Sequence, residues 1–313
     1  MNVLFSIVLP IFALIGAGWL ARYLGWIGPA GAVEMNRFVV YLGMPALLFQ
    51  IVSKASWKEL HQPGFIGAFG IGCLAIYALT VAVCRWRGSP LPDASLSGLN
   101  AGYANVGFIG FPLVVAAFGP ASLTPATIAS ILTVCFLYAI AITVMELGLN
   151  NGGGLGRIAL KVGLSLVKNP MLLAPVLGAC YADLGPPLPG GADRFLTLLA
   201  AAASPCALVS IGLFIADTKG RPQLPALSVQ VALKLVGQPW LTWVLAHWVF
   251  GLAPMQTAVA VVLAGLPTGT GPFMLASQYQ RNGSNIAGAI LVSTVLSIVT
   301  ISVLVTWFSP LTP

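Results

Sequence analysis

Long apolar stretches alternate with short polar connections along this chain. Most of the apolar stretches are close to the roughly 20 residues that an α-helix needs to cross a bilayer. Ten of them can be read, covering about residues 2–21, 35–53, 64–84, 95–118, 124–147, 169–184, 192–216, 226–250, 256–279 and 285–308. The pattern predicts an all-α polytopic membrane protein with ten transmembrane helices in a lipid bilayer.

The composition excludes an ordinary soluble domain. Of the 313 residues, 58% are hydrophobic and only 7% are charged, whereas a soluble domain carries about 25% charged residues. The net charge of +7 is not concentrated in a dense basic run. Nucleic-acid binding is therefore not predicted.

The positions of Lys and Arg predict how the spans are oriented. An even number of spans places both termini on one side of the membrane. If that side is external, the cytoplasmic loops hold ten basic residues: Arg22, Arg37, Arg85, Arg87, Arg157, Lys161, Lys168, Lys219, Arg221 and Arg281. The external loops then hold three: Lys54, Lys58 and Arg194. Because basic residues are enriched in cytoplasmic loops, we expect both termini to lie outside the cytoplasm.

A glycine-rich segment divides the chain into two halves of five spans. Residues 1–149 form the first half, residues 150–168 a cytoplasmic linker with a short interfacial helix, and residues 169–313 the second half. The halves share short patterns in the same order, such as MPAL at 44–47 and SPCAL at 204–208. Because five is odd, two related five-helix repeats must be inverted relative to each other.

Two of the predicted spans, the fourth and the ninth, are interrupted by glycine and proline. They carry NAGYANVGFIGFP at 100–112 and GLPTGTGPFM at 265–274. Interrupted helices are tolerated at membrane depth only where the freed backbone groups are buried in protein or line a polar cavity. The amino ends of the resulting half-helices offer free N–H groups and partial positive charge, which suits an anion such as a carboxylate.

The candidate substrate-binding residues are therefore taken from these two segments. They are Asn105, Gly107, Gly110, Pro267, Thr268, Gly269, Thr270 and Gly271. Four prolines are candidate helix breaks or hinges: Pro45, Pro112, Pro205 and Pro272.

Each of these assignments has a structural alternative. Asn105 could cap a helix or bond to a neighbouring helix without touching a ligand. Thr268 and Thr270 could bond back to their own helix. Pro45 and Pro205 could simply kink their helices.

Lys234 is a charged residue well inside the eighth span. A lysine at the centre of a membrane helix costs roughly 2.5 to 3.5 kcal/mol on insertion scales. Gln230, Lys234 and Gln238 repeat every four residues and so form one polar stripe. Lys234 could balance the charge of an anion or proton, or its side chain could extend to the inner interface. Glu146, at a cytoplasmic span end, is expected to be hydrated.

The remaining chemistry favours neither an enzyme nor an ATP-driven pump. The two histidines, His61 and His247, lie in a loop and near a span end, and no phosphate-binding loop or metal-ligand motif is present in the sequence. We predict no catalytic residues, no metal and no cofactor. A channel would need a selectivity filter or rings of charge, which the sequence does not show.

Three runs of sequence resemble the auxin efflux carrier family, and in particular its short bacterial branch of malonate and other organic-acid transporters. They are YLGMPALLF at 41–49, NVGFIGFPL at 105–113 and GLPTGTGPFMLASQY at 265–279. The resemblance implies a fold like that of bile acid symporters, in which spans one, two, six and seven form a scaffold. The other six spans would form a transport domain, with spans four and nine crossing at the substrate site.

The resemblance also implies a function. We expect a secondary transporter of the inner membrane that moves a mono- or dicarboxylate such as malonate or malate by alternating access, with proton coupling as a family-level expectation. An auxin-like aromatic acid carrier, or an anion channel or uniporter, is the alternative, and the protein could act as a homodimer. Plant members carry a proline before the asparagine of span four, whereas here Ala104 precedes Asn105, so a softer first interruption is expected.

Overall fold

The computed structural model of the protein describes residues 9–54, 60–149, 156, 160, 163–164, 167, 170–184, 188–217 and 224–308. The predicted linker at 150–168, with its interfacial helix, lies outside the described residues except for five isolated positions. Within the described part the chain is helical and forms no β-sheet, only a single isolated β-bridge.

Twelve helical elements follow one another in the described part. They are α1 (Leu9–Tyr23), α2 (Pro29–Lys54), α3 (Pro63–Trp86), α4 (Leu91–Gly102), α5 (Val106–Phe118), α6 (Pro120–Leu149), α7 (Pro170–Leu184), α8 (Gly190–Asp217), α9 (224–249), α10 (Pro254–Ala264), α11 (Gly271–Gln278) and α12 (Ser284–Phe308).

Five helices of the described part are long and apolar enough to cross a membrane. They are α2, α3, α6, α12 and the Gly190–Ala216 portion of α8. Shorter apolar helices of 10 to 17 residues are Leu9–Tyr23, Val106–Phe118, Leu173–Leu184 and Pro254–Ala264. The fourth and ninth predicted spans are each divided into two helices, because the glycine- and proline-containing segments leave the helical conformation.

Of the five wide, π-type turns in the described part, three end two residues before a proline. They are Val39–Gly43 before Pro45, Val106–Gly110 before Pro112 and Leu233–Gly237 before Pro239. Proline lacks a backbone N–H, and its ring clashes with the carbonyl one helical turn back. A wider turn removes that clash while the helix continues.

Helices continue past three of the four candidate prolines, Pro45, Pro112 and Pro205, and do not end there. Pro45 and Pro112 follow wide turns within α2 and α5, and α8 runs through Pro205. Pro272 lies in the first turn of α11, where the missing N–H has no helical partner to lose. Whether any of them acts as a hinge stays a prediction.

Helices α1, α2, α7 and α8 pack chiefly on one another, with α1 against α8 and α7 against α2 as the most extensive contacts. The α1–α8 contact depends on glycine, because a Cβ atom at Gly18 would clash with the Val209 carbonyl and one at Gly212 with the Ile15 carbonyl. Small residues let helix backbones approach this closely, which is the usual basis of helix association in membranes.

The other helices surround the two interrupted segments. Helix α4 packs between α3 and α6, and α9 packs against α3, α10 and α12. Large side chains without solvent exposure, such as Phe65, Phe69 and Phe111, fill the space between them.

Candidate functional site

The two interruptions cross and pair with each other through their backbones. Ala104 and Thr268 form an antiparallel bridge. The Asn105 N–H donates to the Pro267 carbonyl at 2.9 Å, and the Gly269 N–H donates to the Tyr103 carbonyl at 3.0 Å. Backbone groups released from one helix are thus satisfied by the other, as burial requires.

In span four the backbone leaves the helical conformation at residues 103–105, none of which is a proline. Tyr103 has an extended backbone (φ −85°, ψ 94°), and Asn105 is also outside the helical region (φ −76°, ψ 54°). The first interruption, at 103–105, is shorter than the second, at 265–270, and whether it is also the softer of the two stays a prediction. The two backbone hydrogen bonds beside the Ala104–Thr268 bridge stabilise this non-helical segment.

Asn105 lies at the start of α5 and is 4% exposed. Its side-chain Oδ1 accepts a hydrogen bond from the Phe108 N–H at 3.3 Å, which caps the helix. Its Nδ2 is buried and has no hydrogen-bond partner within the described residues. The Asn105 oxygen therefore caps the helix, as the structural alternative proposed. The Asn105 nitrogen is a buried donor without a partner among the described residues.

Thr268, 1% exposed, is held by two other helices. Its N–H donates to Ser293 Oγ of α12 at 3.1 Å, and its Oγ1 donates to the Asn100 carbonyl of α4 at 3.1 Å. The alternative that Thr268 bonds back to its own helix is therefore wrong. Thr270, the next threonine, is half-buried beside the start of α11.

The ring of Tyr103 covers the glycines of the second interruption. A Cβ atom at Gly269 would lie 2.9 Å from the Tyr103 ring, and one at Gly271 would lie 2.5 Å from Cζ. Two of the predicted site glycines are therefore needed to admit an aromatic side chain that the sequence analysis did not single out. Tyr103 directly precedes Ala104 and Asn105, and this position in the sequence could have identified it as a site residue.

Gly107 and Gly110 are buried in the wide turn that opens α5. A Cβ atom at Gly110 would lie 3.0 Å from Leu263 Cδ2 and 3.1 Å from Leu266 Cδ1. Gly110 thus allows α5 to pack against the end of α10 and the start of the second interruption.

Lys234 is completely buried beside the last residue of α10. Its Nζ donates to the Ala264 carbonyl at 2.6 Å and to Gln238 Oε1 at 2.7 Å. The alternative that this side chain extends to the inner interface is therefore wrong.

The rest of the polar stripe on α9 also contacts the interrupted helices. Gln238 Nε2 donates to the Gly102 carbonyl at 3.2 Å, and Gln230 Oε1 accepts from Asn100 Nδ2 at 2.6 Å. Gln230 and Gln238 are buried. The stripe therefore faces the crossing and bonds both helices that lead into it.

Glu146 of α6 is buried rather than hydrated, which corrects the expectation from its place near a span end. Its Oε1 accepts a hydrogen bond from the Tyr279 hydroxyl at 2.7 Å. This bond joins the end of α6 to the residue that follows α11. Within the described ranges, no group of three or more His, Cys, Asp and Glu side chains is placed to hold a metal ion.

Sequence comparison relates this chain to membrane transporters. The model of the family described as membrane transport protein matches residues 3–151 and 155–305. A protein of Rhizobium meliloti (strain 1021), provisionally named a malonate transporter, is 31% identical over 95% of this chain and 93% of its own length.

Two further relatives are more distant but equally extensive. A protein of Methanothermobacter thermautotrophicus, named only as a transporter, is 25% identical over 94% of this chain and 95% of its own length. Auxin efflux carrier component 8 of Arabidopsis thaliana is 22% identical over 94% of each chain.

Proposed function

Because this chain belongs to the membrane transport protein family of the auxin efflux carriers, we propose that it is a secondary transporter for a small organic anion. The substrate is a mono- or dicarboxylate such as malonate or malate, moved across the cytoplasmic membrane by alternating access. The observation that carries this proposal is the buried Nδ2 of Asn105, a donor without a partner among the described residues, at the crossing of two interrupted helices.

The chemistry of the crossing favours an anion. Helices α5 and α11 both begin there, and the first-turn N–H groups of a helix have no partner within it. Their partial positive charge and the Asn105 amide donor suit a carboxylate oxygen, which only accepts hydrogen bonds. In this proposal Asn105, Thr270 and the backbone at the start of α11 bind the substrate. Thr268 and Gly269, whose donors are bonded to Ser293, Asn100 and Tyr103, hold the crossing in place around it.

The burial of these residues supports a mechanism with a moving domain. Asn105 and Thr268 are almost inaccessible to solvent, so a substrate can reach them only if neighbouring helices separate. Helix α8 contacts the start of α5, and the Phe214 ring meets the Phe273 ring of α11 at a centroid distance of 4.8 Å. We propose that α1, α2, α7 and α8 form the scaffold and that the remaining helices move against it.

Contacts between equivalent positions support two inverted repeats, at 1–149 and 169–313, joined by the linker at 150–168. Gly43 and Ala203 directly precede the two matched proline patterns of the halves, and a Cβ atom at Gly43 would lie 3.1 Å from the Ala203 Cα. The α1–α8 contact likewise corresponds to the α7–α2 contact when the halves are exchanged. Residues near a two-fold axis meet their own equivalents in this way.

Uptake into proteoliposomes tests the proposal. Labelled malonate, malate and an auxin-like aromatic acid are offered to the purified protein, with and without imposed pH and sodium gradients. We expect saturable uptake of a small carboxylate, driven by the pH gradient if protons are coupled. Saturable uptake of the aromatic acid alone would favour an auxin-like carrier, and uptake that does not saturate would favour a channel. Either result would overturn the proposal.

A further inference from the structure

We propose that the Lys234 ammonium group serves as a built-in cation at the crossing of the two interrupted helices. It takes the place between the carboxyl ends of the two interrupted helices where a coupling metal cation would otherwise bind, so the substrate site forms without sodium. The role of Lys234 in transport rests on the proposed function. Its effect on the structure and stability of the crossing does not.

The contacts of Lys234 place its charge at the end of one interrupted helix. Ala264 is the last residue of α10, and its carbonyl accepts from Lys234 Nζ. The last carbonyls of a helix have no partner within the helix and carry its partial negative charge. In transporters with interrupted helices, such carbonyl ends are the groups that coordinate a coupling cation.

Gln238 extends the same arrangement to the other interrupted helix. Gly102 is the last residue of α4, and its carbonyl accepts from Gln238 Nε2. Because Gln238 Oε1 accepts from Lys234 Nζ, the positive charge is linked by hydrogen bonds to the carboxyl ends of both interrupted helices. One ammonium group and one amide therefore satisfy the carbonyl ends that a metal ion would bridge.

The charge of Lys234 has no acidic counterpart in the described part of the chain, where no carboxylate forms an ion pair with it. A buried cation without a compensating charge is costly. The helix ends compensate part of that charge, and an anionic substrate at the amino ends of α5 and α11 would add to the compensation. A second cation, such as sodium, would be repelled from the same position.

The wild-type protein provides the first test, which does not depend on any variant folding. Apparent Tm in detergent, and uptake of the transported acid, are measured in sodium chloride and in N-methylglucamine chloride of equal ionic strength. We expect neither quantity to differ between the two salts. A sodium-specific rise in apparent Tm, or uptake that needs sodium, would overturn the proposal.

Two substitutions of Lys234 provide the second test. Lys234→Ala removes the ammonium group and leaves space, whereas Lys234→Met removes the charge but keeps most of the volume. Both lower the apparent Tm by several degrees, because the Ala264 carbonyl and Gln238 Oε1 lose their donor, and both reduce uptake about tenfold or more. We expect sodium or n-propylammonium to raise the apparent Tm of Lys234→Ala only, since methionine occupies the space that a soluble cation needs.

Lys54→Met, at a residue whose side chain is 55% exposed, is the matched control for loss of a lysine elsewhere. We expect Lys54→Met to show neither the fall in apparent Tm nor a rise in apparent Tm when sodium or n-propylammonium is added. Equal responses of Lys234→Ala and Lys234→Met to the added cations would contradict a cation position at the crossing. If none of the three acids is transported, the proposed function fails, while the detergent measurements still decide the role of Lys234.

Discussion

Asn105 uses the two ends of its side chain for different purposes. The oxygen caps α5, and the nitrogen stays buried without a partner in the described structure. Leaving a buried donor unsatisfied costs about 1–3 kcal/mol, so a protein without a use for the nitrogen would be more stable with a different capping residue. Serine is such a residue, because its hydroxyl can cap a helix equally well.

Substitution of Asn105 separates the two purposes. Asn105→Ser should keep the apparent Tm close to that of the wild type, because a capping oxygen remains, but should reduce uptake of the transported carboxylate about tenfold or more, since a hydrogen bond to a charged group is lost. Asn105→Ala should in addition lose about 1 kcal/mol of stability with the cap. Thermal unfolding and uptake kinetics measure the two effects.

Wild-type uptake by Asn105→Ser would remove this amide from the substrate site. A large fall in apparent Tm for that variant would instead mean that the nitrogen has a structural partner.

At the scale of elements, glycines determine how closely helices approach one another. The α1–α8 contact brings Gly18 against the Val209 carbonyl, and backbone atoms cannot move aside as a flexible side chain can. On the same helix, a Cβ atom at Gly16 would meet no atom within 4 Å. The two positions differ only in which face of α1 they occupy.

This difference makes a matched pair of variants. Gly18→Ala should destabilise the protein by about 1–3 kcal/mol, because the added methyl group overfills the contact and pushes α1 away from α8. Gly16→Ala should leave the apparent Tm unchanged or raise it, since alanine favours the helix. Thermal unfolding of both variants in the same detergent is the measurement. Equal effects of the two substitutions would show that α1 and α8 do not pack as described.

At the scale of the whole molecule, the distribution of basic residues predicts the orientation in the membrane. His61 lies in the connection between α2 and α3, on the side assigned to the exterior, and Ser89 lies between α3 and α4, on the side assigned to the cytoplasm. Helix α3, with 24 residues, is long enough to separate them. The basic residues Arg85 and Arg87 next to Ser89 are expected to hold that end in the cytoplasm.

Cysteine labelling tests this orientation. In a variant whose five native cysteines are replaced by alanine, His61→Cys should react with a membrane-impermeant maleimide added outside intact cells. Ser89→Cys should react only after the membrane is opened. The reverse result would invert the orientation, and labelling of both from outside would mean that α3 does not span the membrane.

The sequence by itself determined the properties that depend on local composition. Hydropathy over about 20 residues identified the membrane class and predicted spans that coincide with long helices such as α3, α6 and α12. Glycine and proline identified the two interruptions, because these residues change the backbone wherever they occur. The runs around Asn105 and Pro267 were enough to indicate the family.

Only the tertiary structure decided which groups meet. It paired Ala104 with Thr268, buried Lys234 at the end of α10, and gave Glu146 a hydroxyl partner. Each of these contacts joins residues far apart in sequence, so no local pattern could distinguish a lysine that reaches the interface from one that caps a helix. Whether a polar side chain is satisfied in a membrane protein depends on the neighbouring helices, and only folding brings those neighbours together.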